Sequence, residues 1–157
     1  MVEAYIIDEV TEELSASEKA LEHTLDLMNE QQPILLGYLF SESFEAFEER
    51  EREFLLFLSS VIWKSIFRVW GSQNQVTELQ IENTEERNWT ILKLAQGRDF
   101  QERLNVFFEE DPEKEDLLSF VEDALLEDDD SPVTAEGREP LFVSLKTVID
   151  CLLEPYL

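Results

Sequence analysis

The sequence is short of the residues that most often carry recognisable chemistry. Its single cysteine, Cys151, rules out an internal disulfide. Its single histidine, His23, is preceded three positions earlier by Ala20, so even one Glu-x-x-His motif of a carboxylate-bridged di-iron bundle is missing. Glycine occurs only at positions 37, 71, 97 and 137, which excludes a phosphate-binding Gly-rich loop, a dinucleotide fingerprint and a Gly-x-Ser-x-Gly nucleophile elbow. With only 4 Gly and 5 Pro there is also too little turn chemistry for a many-stranded sheet.

Basic residues are scarce as well. Twelve Lys and Arg stand against 37 Asp and Glu, a formal net charge of −25. Nucleic-acid backbones and anionic membrane surfaces are gripped by clustered cations, so direct binding to either is not expected. The opening residues MVEAYIIDEV have neither the basic start nor the apolar core of a secretory signal, and the simplest expectation is a cytoplasmic address. Asn88-Trp89-Thr90 spells a glycosylation acceptor, but within a predicted helix it has no expected consequence.

What is present is enough to fold. Hydrophobic residues make up 43% of the chain, including 11 Phe, 3 Trp and 3 Tyr, and 157 residues suit one domain spanning 1–157. Glu, Leu, Ala, Lys, Arg and Gln fill the segments between breakers, and all favour helix. The expected fold class is all-α: a compact bundle of about six to eight helices around a long central hydrophobic helix, about Phe44 to Trp70.

Periodicity places the elements. Val2, Ile6, Val10 and Leu14 form a first stripe, with a short strand at Ala4 to Ile7 as the alternative. Ser15 with Glu18 reads as a capping box for a helix carrying Leu21, Thr24, Leu25 and Met28. Pro33 opens a further segment, and Ser41 or Ser43 caps the long helix. That helix has one stripe at Phe44, Phe47, Phe54, Leu58, Ile62, Ile66 and Val69 and a second at Leu56, Trp63, Phe67 and Trp70. Between Phe54 and Trp70, 12 of 17 residues are apolar, yet Lys64, Arg68 and three serines interrupt the run, which favours a core helix over a membrane span.

Gly71 to Gln75 is the clearest break, and Val76 to Asn83 is ambiguous between helix and extended chain. Thr84 then caps a helix ended by Gly97, and another carries Phe100, Leu104, Phe107 and Phe108. Asp111-Pro112 opens a helix with Leu117, Leu118, Phe120, Val121, Leu125 and Leu126 inward, ended by Asp128-Asp129-Asp130. The last helix starts at Pro140 and presents Leu141, Leu145, Val148, Ile149 and Leu152. Cys151, in an apolar run without a neighbouring base, reads as a buried small hydrophobe.

Charge is unevenly spread. Residues 1–49 carry net −12, residues 50–103 net zero, and residues 104–157 net −13. The plainest explanation is terminal helices turning acidic faces outward around a neutral aromatic centre. The densest acidic segment comprises Glu109, Glu110, Asp111, Glu113, Glu115, Asp116, Glu122, Asp123, Glu127, Asp128, Asp129 and Asp130, with one base, Lys114. Crowding of that kind destabilises by like-charge repulsion, so the segment is the candidate face for a basic protein partner. Asp128-Asp129-Asp130-Ser131 lacks the alternating acids, central Gly and final Glu of a calcium loop, and no metal or cofactor site is implied.

Three functional readings follow. The leading one is a non-enzymatic interaction module for a basic protein, in its sharpest form an inhibitor or immunity-type protein presenting carboxylates where phosphates would lie. The second is a small-molecule pocket lined by Trp63, Trp70 and Trp89, weighed against the commoner role of such rings as core. The third is an enzyme built on scattered carboxylates. Self-association into a homo-oligomer is left open by the sequence.

Overall fold

In a computed structural model, which describes residues 1–41, 45–126 and 131–154, all the regular secondary structure among the described residues is helical. The elements are α1 (Ala4–Ala16), α2 (Glu18–Gln31), α3 (Pro33–Leu39), α4 (Glu49–Trp70), α5 (Glu78–Leu94), α6 (Phe100–Glu110), a 3-10 turn (Pro112–Lys114), α7 (Glu115–Leu126) and α8 (Arg138–Leu153). No strand occurs among the described residues, so Ala4 to Ile7 is helical.

The long hydrophobic helix expected near Phe44 to Trp70 is α4, although its start at Glu49 leaves Phe44 outside both the helix and the described residues. It shares the middle of the bundle with α8, which is enclosed on every side: each residue from Leu141 to Leu153 is buried. Helix α8 packs against α4, α5 and α7. Helix α1 lies on α4 and α7, α2 lies on α1 and α4, α3 joins α2 to α5, and α6 closes against α5 and α7. Full burial of side chains such as Phe142, Leu145, Val148 and Ile149 contributes about 1.5–3 kcal/mol each. The last helix, α8, is itself the interior and so departs from the expected arrangement of acidic terminal helices around a neutral centre, whereas α1, α2 and the α6–α7 segment turn acids outward.

Helix starts follow the local chemistry, at positions shifted from those expected. Ser17, not Ser15, caps α2: its backbone is extended and its Oγ accepts from the Ala20 amide at 3.2 Å, while Ser15 belongs to α1. The buried face of α1 is Ile7, Val10 and Leu14, with Ile6 half-buried. Neither Ser41 nor Ser43 caps α4, whose first turn is closed at Glu48: the Glu51 carboxylate reaches back to the Glu48 amide at 3.1 Å. Ser43 lies outside the described residues.

The ambiguous stretch resolves as helix because Thr77 caps α5, its Oγ1 accepting from the Gln80 amide at 3.1 Å. Thr84 is consequently a buried interior residue. Gly71, at φ 75, closes α4, and its amide donates to the Phe67 carbonyl at 2.7 Å. Pro112 opens the 3-10 turn rather than α7 directly. Pro140 sits inside the first turn of α8, where the missing amide breaks no helical bond.

A polar latch joins the loop before α8 to the start of α4. Glu51, 2% exposed, accepts from the Thr134 amide at 3.0 Å and the Thr134 hydroxyl at 2.9 Å, in addition to Glu48. Three donors and the positive end of α4 thus satisfy a carboxylate that no cation neutralises among the described residues. The carboxylate lies directly against Gly137, where a Cβ would collide with Glu51 Oε2. Gly37, by contrast, has nothing within 4 Å of its missing Cβ.

These two glycines should respond oppositely to alanine. Gly137→Ala is expected to destabilise the fold by about 1–3 kcal/mol through overpacking. Gly37→Ala is expected to stabilise it by about 0.4–1 kcal/mol through the lost freedom of the unfolded chain. Urea unfolding of both variants measures the difference, and equal effects of one sign would contradict it.

Candidate functional site

A helix buried on all sides has nowhere to expose a charge, yet α8 carries Lys146 and Asp150 one turn apart. Both are nearly inaccessible, and they pair with each other at 2.6 Å. Lys114, from the 3-10 turn, is equally buried and meets the same Asp150 oxygen at 2.7 Å. The other Asp150 oxygen accepts from Asn88 Nδ2 on α5 at 3.2 Å, with the Arg87 guanidinium 3.6 Å away. Asp111 completes the cluster by accepting from Lys146 at 3.0 Å.

Burial by itself would raise the pKa of Asp150, but the attraction of Lys146 and Lys114 outweighs it and holds the carboxyl below its ordinary value. The cluster pins α5, the 3-10 turn and α8 together. It also removes Asn88 from the surface, so the glycosylation-like triplet is closed to modification in the folded chain.

The acidic segment changes character as a result. Its only base, Lys114, points inward, while Glu109, Glu110, Glu113, Glu115 and Asp123 are exposed. Asp111 is bound to Lys146, and Asp116 accepts from the Ala4 amide at 3.0 Å, closing the start of α1. Glu122 is partly buried, which raises its pKa; a Gln101 hydrogen bond opposes the rise and the Asp123 charge adds to it. Glu127, Asp128, Asp129 and Asp130 lie outside the described residues.

The three tryptophans are separated. Trp63 is 3% exposed and stacks on Phe67 at 5.2 Å in the core. Trp70 is partly exposed at the end of α4. Trp89 lines a surface groove of about 840 Å³ with Tyr38, Ile81, Glu82, Glu85, Glu86, Thr90 and Lys93. A second depression, of about 520 Å³, shares Tyr38, Ile81 and Glu82 with it and adds Pro33, Ile34, Gly37 and Glu78. The two form one groove between α3 and α5.

The Tyr38 hydroxyl donates to Glu85 Oε2 at 2.5 Å, which fixes the ring in the groove floor. Burial first, and the Glu85 carboxylate second, push the phenol pKa up and keep the proton in place. Sequence reading found Trp89 but missed Tyr38, because no periodic signal links Tyr38 to Glu85, 47 positions away, or to the rest of α5. The stripe of Glu78, Glu82 and Glu86 was readable once that stretch was taken as helix.

Other chemistry is sparse. Cys151 is buried, and burial pushes its thiol up to about 11 against a weaker opposing hydrogen bond from Thr84. His23 is exposed on α2. Among the described residues no group of three or more His, Cys, Asp or Glu side chains is arranged to hold a metal, and no helix is long and apolar enough to cross a membrane. Comparison with protein-family models, curated proteins and solved structures finds no match to this chain.

The ion cluster and Glu122 give two expectations of opposite sign. Asp150→Ala should cost about 3–5 kcal/mol in urea unfolding near neutral pH, because it strands buried lysines. In the parent chain the same contribution is full above the unfolded-state pKa of about 3.9 and is lost as pH falls through the lower folded value. A loss below about 1 kcal/mol would show that the cluster is not holding α8. Glu122→Gln should raise the melting temperature at about pH 7, where the raised pKa makes the charge unfavourable, with the gain vanishing by about pH 3. A gain undiminished in acid would contradict the burial of a charge there.

Proposed function

We propose that the protein is a non-enzymatic interaction module that binds a basic protein partner through its acidic surface. The observation that carries the reading is the inward placement of cations. Lys114 and Lys146 are consumed by Asp150 and Asp111, so the segment from α6 to α7 keeps exposed carboxylates and no exposed base of its own among the described residues, while the exposed Arg87 of α5 beside it is drawn to Asp150 and Glu154. Exposed carboxylates at that density repel one another, and a partner bearing Lys and Arg relieves the repulsion while being steered toward it. A basic protein that ordinarily grips phosphate backbones fits these requirements, which gives the inhibitor-like form of the proposal.

The alternatives have weaker support. Trp63 is packed in the core and the three tryptophans do not line a common depression, so a Trp-lined small-molecule pocket lacks its walls. A carboxylate-based enzyme would want acids converging with raised pKa values. The raised carboxyl among the described residues, Glu122, is raised by burial beside Asp123, without a nucleophile or base joined to it.

The immobilised chain should retain proteins of high isoelectric point at about 0.05 M salt and release them by about 0.5 M, where the screening length falls to a few ångströms. Combined Glu109→Lys, Glu110→Lys and Glu113→Lys should weaken retention at low salt. Retention indifferent to salt and to charge reversal would overturn the reading.

A further inference from the structure

Residues four apart on a helix stand over one another, and like charges at that spacing repel. Glu78, Glu82 and Glu86 occupy three such positions in succession on α5. All three are exposed, and their carboxylates make no ion pair or hydrogen bond among the described residues. The next stripe, Ile81, Glu85 and Trp89, faces the groove, and Lys93 at the far end is the one base lining it among the described residues.

Beneath the acidic rim the floor is apolar: Ile81, Trp89 and the Tyr38 ring, with Pro33 and the half-exposed Ile34 across on α3. Gly37 keeps the α3 side open, since no atom fills the space its side chain would take. A carboxylate stripe bordering a partly exposed apolar floor returns nothing to the isolated chain. It complements a segment that places apolar side chains downward and Lys or Arg along its edge. From Glu78 to Lys93 the wall is about 22 Å long at 1.5 Å per residue, the length of about four helical turns.

We propose that the groove between α3 and α5 is the docking site for a basic amphipathic helix of a partner protein. The proposal rests on the reading that the partner is basic and adds where and in what form it is held. A second copy of the chain, at net −25, would bring like charge to the same rim.

The test uses the full-length chain, labelled with ¹⁵N, and a synthetic amphipathic helix of about four turns with a Leu seam flanked by Lys. A control peptide keeps the Lys and replaces Leu by Ser. The Leu peptide should shift the Trp89 indole resonance, assigned with Trp89→Phe, and amides of α3 and α5. Its binding should be at least about tenfold tighter than that of the Ser control, a difference of about 1.4 kcal/mol. Glu82→Lys with Glu86→Lys, and separately Gly37→Gln, should each weaken binding about tenfold or more while the melting temperature is kept.

Shifts centred on Glu109 to Asp123 and unchanged by the groove variants would overturn the docking site and leave the basic-partner reading standing. Equal binding of the Ser control would show charge attraction without docking and would also overturn it. Absence of any binding at low salt would remove both.

Discussion

The structure depends on one constraint: α8 is buried from Leu141 to Leu153, so the two charged side chains in that span, Lys146 and Asp150, must find partners inside the protein. Asp150 is the centre of the arrangement. It lies between Lys146 from its own helix and Lys114 from the 3-10 turn, at 2.6 and 2.7 Å, with Asn88 on its other oxygen. An ion taken out of water carries a penalty of several kcal/mol, and only a tightly hydrogen-bonded arrangement offsets it. The register of α8 against α5 and the α6–α7 corner is therefore specified by charge as well as by the surrounding leucines and valines. A slide of one residue along α8 would part Asp150 from Lys114 and Lys146 from Asp111.

That internal demand shapes the outside. A chain with twelve basic residues places two of them beyond the reach of solvent, and Lys64 and Arg68 are engaged by Glu13 on the surface. Carboxylates on α5, α6 and α7 are left facing water with few neighbours to neutralise them. Two stabilising arrangements elsewhere use carboxylates against neutral donors: Glu51 latches the loop before α8, and Asp116 closes the start of α1. The fold tolerates its acidity by giving a few acids structural partners and leaving the remainder solvated, and the proposed interaction surface is what that remainder forms.

Much of this was legible in the sequence, for identifiable reasons. Helical period in Leu58, Ile62 and Ile66 and the break at Gly71 act locally, and α4 appears where these signals put it, while the signals at Gly97 and Asp111-Pro112 fall within three residues of the observed boundaries, α5 ending at Leu94 and α7 following a 3-10 turn. Cap positions were read less well. Ser15 and Ser17 are two residues apart, and which one carries the extended backbone depends on how α1 packs. The ion cluster was missed although its signal was present: Lys and Asp four apart within an otherwise apolar run can be accommodated only as a buried pair or at an exposed edge. The choice between those depends on what α4, α5 and α7 cover, which no local pattern contains. The groove was half legible, through Trp89 alone, because its other wall comes from α3.

The central claim is that Lys114 and Lys146 are withdrawn from the surface, and amine reactivity reads it most directly. The native protein is treated with an acylating reagent and the extent of modification at each lysine is followed by mass spectrometry. Lys19 and Lys93, both exposed, should react fully, while Lys114 and Lys146 remain unmodified until the chain is unfolded. Modification of Lys114 at the same rate as Lys93 in the folded protein would contradict the account.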